Sequence, residues 1–136
     1  MAETTIPVEH LFSLELDAGK PNGVKGGPKG DRLIFEVPGG SFTGERLKGT
    51  VVPPGGDWAT LRADGTVHLD VRLILITDDD EKIYMEYTGI VKDGSARSAP
   101  MFQTGSAKYA WLNSIQAVGI GKAEAGKVTY EVYAVL

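Results

Sequence analysis

His68, Asp70 and Arg72 sit two residues apart on the most strand-like stretch of the chain, alternating with Val67, Leu69, Val71 and Leu73. Residues two apart on a strand share a face, so a carboxylate and a guanidinium are presented together. Two environments are open to them. On a solvated face they form a surface ion pair worth about 0–1 kcal/mol, a common arrangement in antiparallel sheets. Inside a barrel lumen both are partly dehydrated, and each needs the other or a ligand. There Arg72 would orient a carboxylate, phenolate or enolate. Asp57-Trp58 and Tyr109-Ala110-Trp111-Leu112-Asn113 place aromatic rings beside acid or amide groups near loops. That combination suits a ligand mouth, and equally a core or barrel-end plug.

Other constellations fail on inspection. Gly121-Lys122-Ala123-Glu124-Ala125-Gly126-Lys127-Val128 has most of a phosphate-binding loop. It lacks the Ser or Thr that holds magnesium, and a strand-like alternation follows in place of a helix. Gly39-Gly40-Ser41-Phe42-Thr43-Gly44 lacks the glycine two residues after the serine and the helix of a nucleophile elbow. Asp78 to Glu81 lacks the alternating ligands of a calcium loop and reads as a solvated hairpin tip. With no cysteine and only His10 and His68 as imidazoles, no metal centre is expected and no cofactor motif is present.

The elements that must position these groups are strands. Eighteen glycines and seven prolines punctuate short β-branched and aromatic runs, the all-β pattern. Val8 to Leu16 alternates, with Val8, His10, Phe12, Leu14 and Leu16 on one face. Residues 19–30, rich in Gly and Pro, are expected to be a loop. Leu33–Val37, Arg46–Val52 and Trp58–Arg62 are expected strands, with glycine at 49 marking a bend. Asp64-Gly65 is a hairpin turn leading into Val67–Thr77, followed by Lys82–Val91. Trp111 to Ser114 reads as a short helical turn, and Ile115–Ile120 with Val128–Leu136 as a last hairpin. This predicts a single all-β domain over residues 1–136, with a tail over residues 1–7. Its architecture is an antiparallel barrel of about eight strands, with a sandwich as the other solution.

Composition bounds the function. The 136 residues carry 42% hydrophobic and 24% charged side chains, with a formal net charge of -4. A chain this size buries a core without disulfides. It has no basic tract for nucleic acid and no apolar run of membrane-spanning length; the longest aliphatic stretch is Leu73–Ile76. Residues 1–10 show no secretory signal, so a cytoplasmic location is the expectation. Monomer and simple homo-oligomer are both compatible with the composition.

Several phrases together carry a family resemblance. They are Gly30-Asp31-Arg32, Gly39-Gly40-Ser41-Phe42-Thr43-Gly44, Leu47-Lys48-Gly49, Pro54-Gly55-Gly56-Asp57-Trp58, Asp70-Val71-Arg72 and Tyr109-Ala110-Trp111-Leu112-Asn113. Their order and spacing, from about Val8 to Val135, resemble the bacterial and fungal family called domain of unknown function 3237; Glu45 departs from it, at a turn. The resemblance implies a small antiparallel barrel of the calycin or lipocalin type and brings no established activity. Its motif positions fall on Asp57, Trp58, Asp70, Arg72, Tyr109, Trp111 and Asn113, which favours an inward, ligand-directed Arg72.

The site expected on this basis has Asp57, Asp70 and Arg72 converging in the barrel as the catalytic groups. Trp58, Tyr87, Tyr109, Trp111 and Asn113 are the expected ligand-binding residues. Three function classes stay open. One is a cofactor-independent isomerase, cyclase or lyase acting on a small aromatic or carbonyl compound by proton transfer. The second is a carrier barrel for a small hydrophobic ligand, without turnover. The third is a structural protein with no ligand.

Overall fold

The computed structural model describes residue 2 and residues 4–136. Positions 1 and 3 of the expected tail lie outside the described residues. Among the described residues eleven strands make one sheet. They are β1 (Val8–Asp17), β2 (Asn22–Gly27), β3 (Gly30–Glu36), β4 (Gly39–Thr43), β5 (Lys48–Leu61), β6 (Val67–Thr77), β7 (Lys82–Lys92), β8 (Ser95–Ser98), β9 (Met101–Gln103), β10 (Ala117–Glu124) and β11 (Lys127–Val135). The order β5-β4-β1-β11-β10-β8-β7-β6 returns to β5, closing an antiparallel barrel of eight strands. The second half of β5 also pairs with β3, which carries β2 on its outer edge, and β9 adds to β7. Among the described residues no helix is long and apolar enough to cross a membrane.

Strand alternation decides what the barrel encloses. Leu69, Val71, Leu73 and Leu75 of β6 are buried, and Leu73 and Leu75 lie opposite Met85 and Ile83 of β7. The half of the barrel nearest the β6–β7 turn is solidly packed. Phe12 lies against Phe42 at 5.5 Å and Phe102 at 6.0 Å between ring centroids. A 3₁₀ turn, Ala110–Ser114, closes that end with the fully buried Leu112. Its latch is Asp79, which accepts hydrogen bonds from Lys108 Nζ at 2.5 Å, Tyr109 Oη at 2.9 Å and Thr77 Oγ1 at 2.5 Å. These bonds, the Lys108 one foremost, hold the Asp79 carboxyl well below the usual carboxylate range. The acidic turn is thus a fastening as well as a hairpin tip.

Three expectations need correction. Residues 19–30 are not all loop, because β2 forms a hairpin with β3. Glycine makes that possible: Gly26 has φ 72°, and a Cβ on Gly23 would lie 1.9 Å from the Arg32 carbonyl oxygen. The two strands expected over 46–62 are one, since β5 runs through Pro53 and Pro54 with a register shift between Val52 and Gly56. A β-bulge absorbs residues that cannot keep the ladder. His10 does not share the Phe12 face. A register shift between them buries both Leu11 and Phe12 and turns His10 outward, to Glu131 Oε1 at 2.9 Å.

Candidate active site

The other half of the barrel is hollow. A cavity of about 440 Å³ is lined there by the Asp17–Pro21 segment and the Ala123–Gly126 turn, among others. That volume falls in the range of ligand pockets, about 300–1,000 Å³. Leu16, Phe35, Val37, Leu69 and Val71 supply apolar walls, and Asp57, Tyr87 and Tyr130 supply polar groups.

Register explains how Asp57 gets in. Phe35 pairs with Asp57, Asp57 with Val71, and Val71 with Tyr87. The four therefore form one row across β3, β5, β6 and β7, with side chains on the same face. That face is the lumen because Val71 and Tyr87 are buried. Asp57 Oδ1 accepts the Asp70 backbone N–H at 3.0 Å. Burial is the dominant influence on its acidity and pushes the Asp57 carboxyl up from 3.8 to about 6, against the acidifying hydrogen bond from Asp70.

A raised carboxyl pKa weakens the fold at neutral pH. The folded chain holds the Asp57 proton more tightly than the unfolded chain, so stability falls as pH rises from about 4 through 6. The shift from 3.8 to about 6 corresponds to about 3 kcal/mol. Asp57→Asn keeps the acceptor for the Asp70 N–H and removes the charge. The variant is expected to be more stable than the parent by up to about 3 kcal/mol near pH 8, with the gap closing towards pH 4. Urea titrations at both pH values check this. A gap that does not change with pH refutes it.

The structure gathers only part of the expected site. Asp57 and Tyr87 are brought together in the cavity wall. Asp70 and Arg72 are not in the lumen, because Val71 between them is inward. They face outward with side chains 37% and 53% exposed, Arg72 Nη2 lying 3.5 Å from Asp70 Oδ2. Such a pair is worth about 0–1 kcal/mol. Asp70 reaches the site only through its backbone N–H. Trp58, next to Asp57, points the opposite way, and the Arg72 guanidinium lies 5.2 Å from its ring centroid. Tyr109, Trp111 and Asn113 belong to the closed end. Tyr109 is latched to Asp79, Trp111 stacks under Arg46 at 3.6 Å, and Asn113 Nδ2 and Oδ1 bond the Thr104 backbone. None of the three borders the cavity.

Motif spacing does not single out Tyr130. The signal available for it is the pair of glycines at 119 and 121, whose positions on β10 face its ring. A Cβ at either would lie 3.1 Å or 2.8 Å from Tyr130 Cδ1. Tyr130 packs edge-on against Tyr87, with centroids 5.4 Å apart and planes at 76°. Burial pushes both phenols up, that of Tyr130 to about 12, so both stay protonated at neutral pH.

A closed antiparallel barrel with a buried acid, Asp57, in the wall of a largely apolar chamber is the class of protein these features define. The chain belongs to the family described as protein of unknown function (DUF3237), which matches residues 6–95 and 91–135. A UPF0311 protein of Rhodopseudomonas palustris is 27% identical over 97% of this chain and 98% of that protein. The hydroalkoxylation enzyme phnH of Penicillium herquei is 30% identical, over 82% of this chain and 72% of that enzyme. Among solved structures, a beta-barrel like protein from Acinetobacter baumannii superimposes with a TM-score of 0.90 at 27% identity, covering 99% of both chains.

Proposed function

We propose that this barrel is an enzyme that moves a proton within a small, largely apolar compound, with Asp57 as the acid–base group. The observation that carries this reading is the Asp57 carboxyl in the wall of an apolar cavity of about 440 Å³. An acid–base catalyst works best with a pKa near the operating pH, and a carboxyl at about 6 meets that condition. The hydroalkoxylation enzyme of Penicillium herquei supports the reaction type. Hydroalkoxylation adds an O–H across a C=C bond. The oxygen–carbon bond forms, the π bond breaks, and the hydroxyl proton ends on the neighbouring carbon. Asp57 takes the proton from oxygen and returns it to carbon. The balance needs no oxidant or reductant, so a cofactor-independent cyclase or isomerase is the function proposed.

The test is product analysis in D₂O with a panel of alkenyl phenols and enones. A cyclised or isomerised product is expected, with one deuterium on carbon. Compounds that bind and return unchanged would instead make the barrel a carrier for small hydrophobic ligands.

A further inference from the structure

The acid–base reading leaves the buried Tyr130 of the cavity wall unused. Tyr130 is 2% exposed, borders the cavity, and its hydroxyl has no hydrogen-bond partner among the described residues. Buried tyrosine hydroxyls are normally bonded, and an unmet one is costly to the fold. The neighbours do not meet the need. The Tyr87 and Ser98 hydroxyls lie close enough to the Tyr130 hydroxyl to act on its acidity, yet neither meets hydrogen-bond geometry with it. The ring cannot swing towards β10 without cost, because it already fills the space that glycine leaves at 119 and 121. Around the ring of strands, β11 lies across the lumen from β5, with β4 and β1 between them on one side. Asp57 and Tyr130 therefore approach a bound molecule from different walls.

We propose that Tyr130, backed by Tyr87, donates the hydrogen bond that holds the substrate's oxygen, which restricts the substrate to phenols and ketones on an apolar frame. This rests on the acid–base reading of Asp57. As Asp57 removes a proton from such a compound, negative charge develops on that oxygen. Donors fixed beforehand in a dry cavity stabilise the developing charge better than water does. Burial supports the assignment by keeping both phenols protonated, hence able to donate.

The test compares 2-naphthol with naphthalene as fluorescent probes of the intact protein. Parent protein is expected to bind 2-naphthol about tenfold more tightly, the worth of one good hydrogen bond. In Tyr130→Phe, and in the double variant with Tyr87→Phe, that preference should fall towards unity while naphthalene affinity stays put. A purely structural tyrosine would weaken both probes alike, and Tyr130→Phe should melt no lower than the parent. A preference that survives in the double variant overturns the proposal. If the preference survives there but disappears in Asp57→Asn, the proposal fails and the acid–base reading stands. If the parent binds neither probe, both fail.

Discussion

Asp57→Asn is expected to lower the rate of product formation by about 10²–10⁴-fold, the usual contribution of a positioned acid–base group. Asparagine matches aspartate in shape, and its Oδ1 can still accept the Asp70 N–H that Asp57 Oδ1 accepts at 3.0 Å. It cannot carry a proton at accessible pH. Loss of rate should therefore come without loss of fold, and the variant should gain stability at neutral pH, as worked out above. A group that both weakens the fold and drives the chemistry is the signature of a stability–activity trade-off. Turnover and probe binding measured on the same samples separate the outcomes. A variant that binds normally and turns over normally removes Asp57 from the mechanism.

The largest expected effect on stability is that of Phe12→Ala, about 3–5 kcal/mol. Phe12 is 0% exposed and contacts two other rings in the packed half of the barrel. The bulge before it fixes the backbone, so the hole left by the ring cannot readily collapse. Whole domains are stable by about 5–15 kcal/mol, so the variant would be marginal. Phe12 does not border the cavity. Substrate affinity at low temperature should therefore stay near that of the parent while the urea midpoint drops. A midpoint shift equivalent to less than about 1 kcal/mol would mean that the site repacks.

The barrel was legible in the sequence because alternation and turn chemistry are local. The alternation of Val67 to Thr77 announces strand β6, and Asp64-Gly65 announces the hairpin before it. The site was legible only in part, because membership of a lumen depends on register. Asp57 enters it because the shift between Val52 and Gly56 sets it opposite Val71, and no spacing motif reports that shift. Asp70 and Arg72 illustrate the converse. The alternation that buries Val71 excludes them, and the plain solvated-face reading of that strand describes them. Tyr130 gives no motif at all. The role proposed for it rests on a hydroxyl without a hydrogen-bond partner among the described residues, which only three-dimensional packing reveals. The β2–β3 hairpin hides in composition that usually means loop, because its glycines serve close backbone approach.

The closed end has a consequence for traffic. Leu112 and the Asp79 latch stopper one end of the barrel, while the Asp17–Pro21 segment and the Ala123–Gly126 turn lie at the rim of the hollow end. That rim is tied across by Ala18 N–H to the Gly126 carbonyl at 3.1 Å. A vessel stoppered at one end cannot be fed from behind. For the proposed reaction, the spent molecule would have to leave by the end at which the next arrives, so product and substrate would compete for it, and chemistry confined within a single molecule suits the chamber better than the meeting of two.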